Sequence, residues 1–501
     1  METAPVHQLT VRRLFIDTQK QPVAYVHKDS HICRAEGFGS QARILLCSKG
    51  RQIIATLHKV GGDYLAFHEI GLSDSAWAYL QAAEGESIHI SHPPVITSLG
   101  HVRSKIFGHE LLPFAVGEIV RDVAANRYSD IEAASFITAC AGGLSEKEIL
   151  ALTKAMVDVG ERLTWNSELV VDKHCVGGLP GNRTTPIVVS IVAAYGLLMP
   201  KTSSRAITSP AGTADVVEVL APVDLSLSDI RRVVERESGC LAWGGNVGLS
   251  PADDILIRIE KALDLDSEGQ LVASILSKKL AVGSSHVVID VPVGPTAKVR
   301  NVTDAHRLQE SLVSTGAQLG LQVLVHITDG RQPIGRGIGP ALEARDVVAV
   351  LRGDHNAPQD LKTRALDLAA KILSFSGLAP DAASEVAHDI LSDGRAWQKF
   401  QRICDAQGGM RDIPSAHYWR TIEAVSAGTI SEFDNRRLAR VAKMAGAPAD
   451  TVAGVDLHIA QGDRVEKGQP LFTVYAASHG GLDYALDYLR DHGPVIHIGE
   501  G

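Results

Sequence analysis

Within the 501 residues, the stretch whose residue types and spacing could do chemistry reads Asp172-Lys-His-Cys-Val-Gly-Gly-Leu-Pro-Gly-Asn-Arg-Thr-Thr185. A lysine at an expected strand end, a glycine-rich loop and a helix N-terminus come in that order. They supply a fixed cation, unobstructed backbone N–H groups and the positive end of a helix dipole, and all three favour a phosphate. No Gly-Lys-Ser/Thr follows at Walker A spacing, so this is not that kind of loop. An ordinary tight strand-to-helix turn would carry the same residue types. The stretch Lys201-Thr-Ser-Ser-Arg-Ala-Ile-Thr-Ser209, followed by Ala211-Gly-Thr213, puts six hydroxyl side chains between Thr202 and Thr213, with Arg205 among them. Taken singly it reads as a hydroxyl-rich turn. Two such loops on consecutive βα units would converge at the carboxyl edge of one parallel sheet, where ligands usually bind.

The elements around them have to hold that edge. Leu169-Val170-Val171 reads as a strand. Thr185 is placed to cap the next helix, with Pro186 at its first position. That helix runs to about Tyr195, Gly196 ends it, and Leu197-Leu198-Met199 begins another strand. This is a βαβ unit, so a largely parallel sheet is expected. Upstream, Ser145 and Glu148 form a capping box before Ile149, Leu152, Met156 and Val159, with Gly160 as the stop. Residues 1–85 carry short alternating runs such as Ala24–Val26 and Gln52–Thr56, which predict a small β-rich module. Helices are expected over Leu361–Phe375 and Ala382–Cys404. They precede a β-rich end in which Gly454–Ile459 turns at Gly462-Asp463 and returns through Leu471–Tyr475.

Bulk properties narrow the function classes. The length implies about three domains. Hydrophobic content of 45% with 21% charge fits a packed globular enzyme, and a net charge of −9 argues against long basic tracks for nucleic acid. The start has no apolar core of leader length, and the longest apolar run, Pro186–Pro200, is too short to span a bilayer. The six cysteines are scattered, with no CxxC and no zinc spacing. A cytoplasmic protein with reduced thiols and no metal is therefore expected, acting on small molecules rather than on a membrane or nucleic acid polymer.

The ordered set Asp172-Lys-His-x-x-Gly-Gly, Ser203-x-Arg205 and Gly212-Thr213-x-Asp215-x-x-Glu218 resembles the signature of the thymidine phosphorylase family. The similarity extends from about residue 95 to the C-terminus and includes Ala151–Leu163 and Ala273–Lys279. The resemblance implies an α/β fold in which a helical domain (95–165 with 250–282) pairs with an α/β domain (166–245 with 285–345). The sheet is mixed and largely parallel. A small N-terminal β-barrel-like domain (1–85) precedes it, and a C-terminal α+β region (346–501) continues the α/β domain. It implies phosphorolysis of an N-glycosidic bond by a cofactor-independent enzyme with inorganic phosphate as co-substrate, working as a homodimer or larger homo-oligomer.

Position by position, Lys173, Ser203 and Thr213 match the family's phosphate ligands, and Ser274 and Lys278 match residues that contact the base. Cys175 stands where the pyrimidine enzymes have serine, and a thiol is a poorer donor. Their pyrimidine-reading arginine is replaced by Ile259, with Arg258 beside it. Gly177–Thr185, Ser204–Ser209 and Thr328–Glu343 resemble the archaeal AMP phosphorylases more closely, as does the N-terminal module. That branch implies that Gly178, the loop Ser204-Arg205-Ala206-Ile207-Thr208-Ser209, Thr213, Ser274 and Lys298 hold a nucleotide, with Asp266 as proton donor. Lys298 also has a physical argument, since a second cation suits a substrate that brings its own phosphate. His174 is either an acid or polariser beside the phosphate, or a histidine packed at a strand end. Asp266 equally fits a solvated carboxylate in the acidic run Asp264–Glu268. The expected reaction is AMP plus phosphate to adenine plus ribose 1,5-bisphosphate. The alternatives are cleavage of thymidine, and a phosphosugar-binding protein without catalysis, which would keep Lys173 and Thr213 but have no use for Asp266. A phosphoribosyltransferase would need acidic metal ligands near the glycine-rich loop, and none stands there. The fragment Gly335–Pro340 only partly mimics a dinucleotide turn.

Overall fold

The computed structural model describes residues 7–206, 209–265 and 267–499, with only the backbone of Asn246. Packing divides the chain into two units, 1–139 and 140–501.

In the first unit six strands close a barrel: Gln8–Arg13, Val23–His27, Arg43–Ser48, Arg51–Val60, Glu69–Leu72 and Ser87–Ser91. Period-two alternation builds its core, with Leu9 and Val11, Ile44 and Leu46, and Ile88 and Ile90 all turned inward. Lys49 and Gly50, both at positive φ, form the two-residue turn that joins the third strand to the fourth.

The second unit is built on parallel strands. Gln322–Asp329 pairs with His286–Val293, which pairs with Val171–Cys175. Met199–Ser203 pairs with Gly239–Trp243. A parallel bridge between Val170 and Leu198 links the two sets. The helices Thr185–Tyr195, Thr213–Leu220, Pro340–Arg352 and Gln359–Leu373 bury their apolar faces in one core with this sheet. The helix Glu268–Ala281 covers the sheet through Val272, Ile275 and Leu276. Beyond residue 410, three strands join Gly337–Ile338 in a four-stranded sheet, which packs with a three-stranded sheet and the helices Asn435–Met444 and His479–His492 around a separate core.

Local expectations hold with four adjustments. The strand expected at Leu169–Val171 runs over Val171–Cys175, so Lys173 stands inside it and not at its end. The Ser145 capping box is present, and Gly196 ends its helix at φ 108°. The helix after the glycine-rich loop is capped at Thr184, one residue earlier than expected, and without a side-chain cap. The Thr184 hydroxyl is taken instead by Lys173 (Nζ to Oγ1, 2.7 Å). The segment expected as one helix over 382–404 is two, Pro380–Ser392 and Arg395–Gln407, because Gly394 turns the chain at φ 85°. The strands Gly454–Leu457 and Pro470–Ala476 pair as expected, but Arg464–Val465 between them leaves to pair with Gly428–Thr429. Among the described residues no helix is long and apolar enough to cross a membrane.

Candidate active site

Parallel strands share one carboxyl edge, and here it carries Cys175, Ser203, Trp243, Val293 and Asp329. The glycine-rich loop, the loop after Ser203 and the segment Gly294–Lys298 all leave from that edge. Gly178 adopts φ 80°, and a Cβ there would clash with the backbone N of Lys298. The missing side chain therefore lets the Lys298 segment close against the loop. Gly212 serves the second loop alike, because a Cβ would run into Arg205 and Ala206.

Beneath the edge lies a buried cluster of cations around one carboxylate. Asp172 is fully buried and accepts from Lys279 Nζ at 2.7 Å and from the Lys173 backbone N–H at 2.6 Å, with Lys201 Nζ 3.5 Å away. Lys173 points from the strand to Thr184, with Thr185 Oγ1 at 3.5 Å. Burial pulls its ammonium below the usual lysine range, opposed by the nearby Asp290. His174 is half-buried, and its pKa is driven well below the ordinary value, first by burial and then by Lys279, Lys201, Lys278 and Lys173. It is neutral at pH 7.

Cys175 faces a polar knot. Asn182 donates to Cys175 Sγ at 3.4 Å and to Asp290 Oδ2 at 3.1 Å, and Thr328 donates to Asp290 Oδ1 at 2.6 Å. Burial, reinforced by Asp290, pushes the Cys175 thiol up to about 12, so it stays protonated. Across the edge, Thr213 opens its helix after Gly212 and accepts from Arg183 Nη1 at 2.7 Å. Ser203 Oγ is shielded from solvent and has no hydrogen-bond partner among the described residues. A buried hydroxyl left unpaired costs roughly 1–3 kcal/mol, and a ligand at this edge would relieve it.

The hydroxyl-rich loop is held by its neighbours. Arg205 pairs with Glu218 through both guanidinium ends and with Asp215 Oδ1 at 3.3 Å, and it lies 4.7 Å over the Trp243 ring. Asp215 also accepts from the backbone N–H of Ala206 at 2.7 Å and of Gly212 at 2.8 Å. Arg205 thus clamps the loop to the helix Thr213–Leu220. Ser204 is exposed, and Ser209 donates to Ala211 O at 2.9 Å. Ile207, Thr208 and Asp266 lie outside the described residues. On the helix Glu268–Ala281, Lys278 donates to Ser274 Oγ at 3.2 Å and pairs with buried Asp253 at 2.6 Å. Ile259 is buried in its helix. Among the described residues no three His, Cys, Asp or Glu side chains gather to hold a metal ion.

A donor-rich edge beside buried lysines, faced by a helix on which Lys278 is bonded to Ser274, suits transfer of a glycosyl group to phosphate, and comparison with known proteins agrees. Residues 167–397 match the glycosyl transferase family a/b domain, and residues 429–494 match the pyrimidine nucleoside phosphorylase C-terminal domain. A provisionally named thymidine phosphorylase 2 of Acidovorax sp. (strain JS42) is 58% identical over 99% of this chain and 97% of its own. The chain belongs to the thymidine and pyrimidine-nucleoside phosphorylase family. It is an enzyme of the pentosyl-transferring, phosphorylase type. A similarly named protein of Hahella chejuensis (strain KCTC 2396) is 53% identical over all of this chain and 99% of its own. Anthranilate phosphoribosyltransferase from Thermus thermophilus shares the fold at TM-score 0.52 and 18% identity, covering 61% of this chain and 98% of that one.

Several residues that build the site have no role in the reading of the sequence. Asp172 and Lys279 stand inside the quoted motifs, yet only the fold reveals that they meet. Asp290 left a visible signal, a lone carboxylate in the apolar run Val287–Val293. Arg183 left none, being one polar residue in a polar loop.

Proposed function

We propose that the enzyme cleaves the N-glycosidic bond of a nucleoside 5′-monophosphate by phosphorolysis, taking AMP and phosphate to adenine and ribose 1,5-bisphosphate. The observation that carries this reading is the closure of the Lys298 segment onto Gly178. It puts a second lysine beside the loop that follows the strand of Lys173. One cation serves the attacking phosphate and the other the phosphate that the substrate brings.

In this reading Lys173, Ser203, Thr213 and the loop N–H groups hold inorganic phosphate against the anomeric carbon, so proximity supplies much of the acceleration. The C1′–N bond breaks, a phosphate oxygen forms the new C1′–O bond, and positive charge that develops on the sugar is stabilised by the bound anion. The base leaves with the electron pair of the broken bond and needs a proton. Neutral His174 is poorly suited to supply it, so we assign the proton to Asp266, whose carboxyl would need a raised pKa to hold one near neutral pH. Lys278 and Ser274 meet the base. No cofactor is required, and we take a homodimer or larger homo-oligomer as the working form.

The names of the relatives favour a second reading, cleavage of thymidine. The experiment is base release from AMP, CMP, UMP, dTMP, thymidine, uridine and adenosine, each with and without phosphate. Phosphate-dependent adenine release from AMP, with little from adenosine or thymidine, is the expected result. Replacement Lys298→Ala should then raise the KM for AMP without changing slow turnover of nucleosides. Efficient thymidine cleavage would replace the first reading by the second. No phosphate-dependent cleavage of any substrate would remove both and bring forward phosphosugar binding without catalysis.

A further inference from the structure

Arg183, at the end of the glycine-rich loop, uses each of its three nitrogens. Nε donates to Glu343 Oε2 at 2.7 Å, Nη1 to Thr213 Oγ1 at 2.7 Å and Nη2 to Ala211 O at 2.9 Å. Glu343 is 1% exposed, and its other oxygen accepts from the Gly339 N–H at 3.1 Å. The fork is therefore fixed at one end by a buried, hydrogen-bonded carboxylate and at the other by the first turn of the helix Thr213–Leu220.

The chemistry of a hydroxyl gives this arrangement a direction. Thr213 Oγ has one hydrogen and two lone pairs, whereas a guanidinium donates and never accepts. With a lone pair held by Arg183, the hydroxyl cannot send its hydrogen back along that bond. The hydrogen must go to another acceptor. Arg183 also joins its own loop to the segments of Thr213 and Glu343, so it sets where Thr213 stands relative to Lys173, which lies on the strand that leads into that loop.

We propose that Arg183 is a positioning residue that makes Thr213 a committed donor to the incoming inorganic phosphate, acting through the Thr213 hydroxyl. The inference rests on the reading that Lys173 and Thr213 bind that phosphate. It adds the group that orients one of the donors toward an accepting phosphate oxygen. Glu343 holds Arg183 in place and meets no substrate.

The test is equilibrium binding of inorganic phosphate to the full chain, read from the rise of Tm with phosphate concentration, with AMP titrated separately as the control. The variants are Thr213→Val, Arg183→Gln, Arg183→Lys and the double variant Thr213→Val/Arg183→Gln. Losing a hydrogen bond to a charged ligand should weaken phosphate about tenfold or more in Thr213→Val. Arg183→Gln should weaken it by a similar factor while AMP binding stays within about twofold. The double variant should bind phosphate no worse than Thr213→Val. Arg183→Lys keeps the charge beside Glu343 but has no fork, and it should behave as Arg183→Gln does. If Arg183→Gln does not fold, Arg183→Lys in both backgrounds carries the same comparison. Effects of the two sites that multiply would overturn the inference alone, by showing that Arg183 meets phosphate directly or acts through the fold at large. Equal weakening of phosphate and AMP by the Arg183 variants, or wild-type phosphate binding in Arg183→Lys, would do the same. Unchanged phosphate binding in Thr213→Val would remove the phosphate reading of Thr213 itself, and the inference with it.

Discussion

Lys279 Nζ sits 2.7 Å from Asp172 Oδ2, with both side chains out of water. Lys279 follows Lys278 on the helix that carries Ser274, and Asp172 precedes Lys173 on the central strand. The ion pair therefore ties the helix proposed to read the base to the strand proposed to hold phosphate. Breaking a buried pair leaves an uncompensated charge, so Lys279→Met should lower stability by about 3–5 kcal/mol. Urea unfolding at pH 7 measures this, and a loss under about 1 kcal/mol would show that Lys201 alone satisfies Asp172.

The same pair has a pH signature. Burial lowers the Lys279 pKa to about 7, although Asp172 opposes the shift. Between that value and the ordinary lysine value near 10.5, the unfolded chain binds a proton that the folded protein does not. Lys279 therefore contributes stability that grows as pH rises through this window. Unfolding free energies of the wild type, relative to Lys279→Met, should rise from pH 7 to pH 9.5. A flat difference would mean that the ammonium stays charged throughout.

His174 should stay neutral across the range in which an ordinary histidine titrates, because burial and four lysines oppose its charging. Its folded-state pKa lies below the unfolded one, so its contribution to stability is complete above pH 6.5 and declines as pH falls below that value. An NMR titration should find the His174 ring neutral at pH 6. A midpoint near 6.5 would restore it as a candidate acid.

Gly178→Ala should damage the site more than the fold. The residue stands at φ 80°, where an L side chain costs roughly 1–2 kcal/mol, and its Cβ would push Lys298 away. The KM for AMP should rise about tenfold for each 1.4 kcal/mol by which the hold of Lys298 on the substrate weakens, while the circular dichroism spectrum stays unchanged. A wild-type KM would mean that Lys298 can move away without affecting the substrate.

Asp266→Asn tests the proton donor. General acid catalysis typically contributes 10²–10⁴-fold, so kcat should fall by about that factor with little change in phosphate KM. Unchanged turnover would end the assignment.

Much of this protein was legible in the order of its residues. The glycine-rich loop between a strand and a Pro-initiated helix, the Ser145 capping box and the alternating runs of the barrel are local patterns, fixed by backbone sterics and side-chain period. The parallel sheet follows from the βαβ spacing, and with it the shared edge that collects Lys173, Ser203, Thr213 and Lys298. Only the tertiary structure decided which groups meet across long separations. Asp172 finds Lys279 107 positions away, and Arg183 finds Glu343 160 positions away. It also decided which cations are already spent: Arg205 is bound to Glu218 and Asp215, so a charge that reads as a ligand in the sequence holds the loop in shape. The physical reason is that periodicity reports the face a side chain shows, whereas burial, charge pairing and the protonation of Lys279, His174 and Cys175 depend on what the remainder of the chain brings to that face.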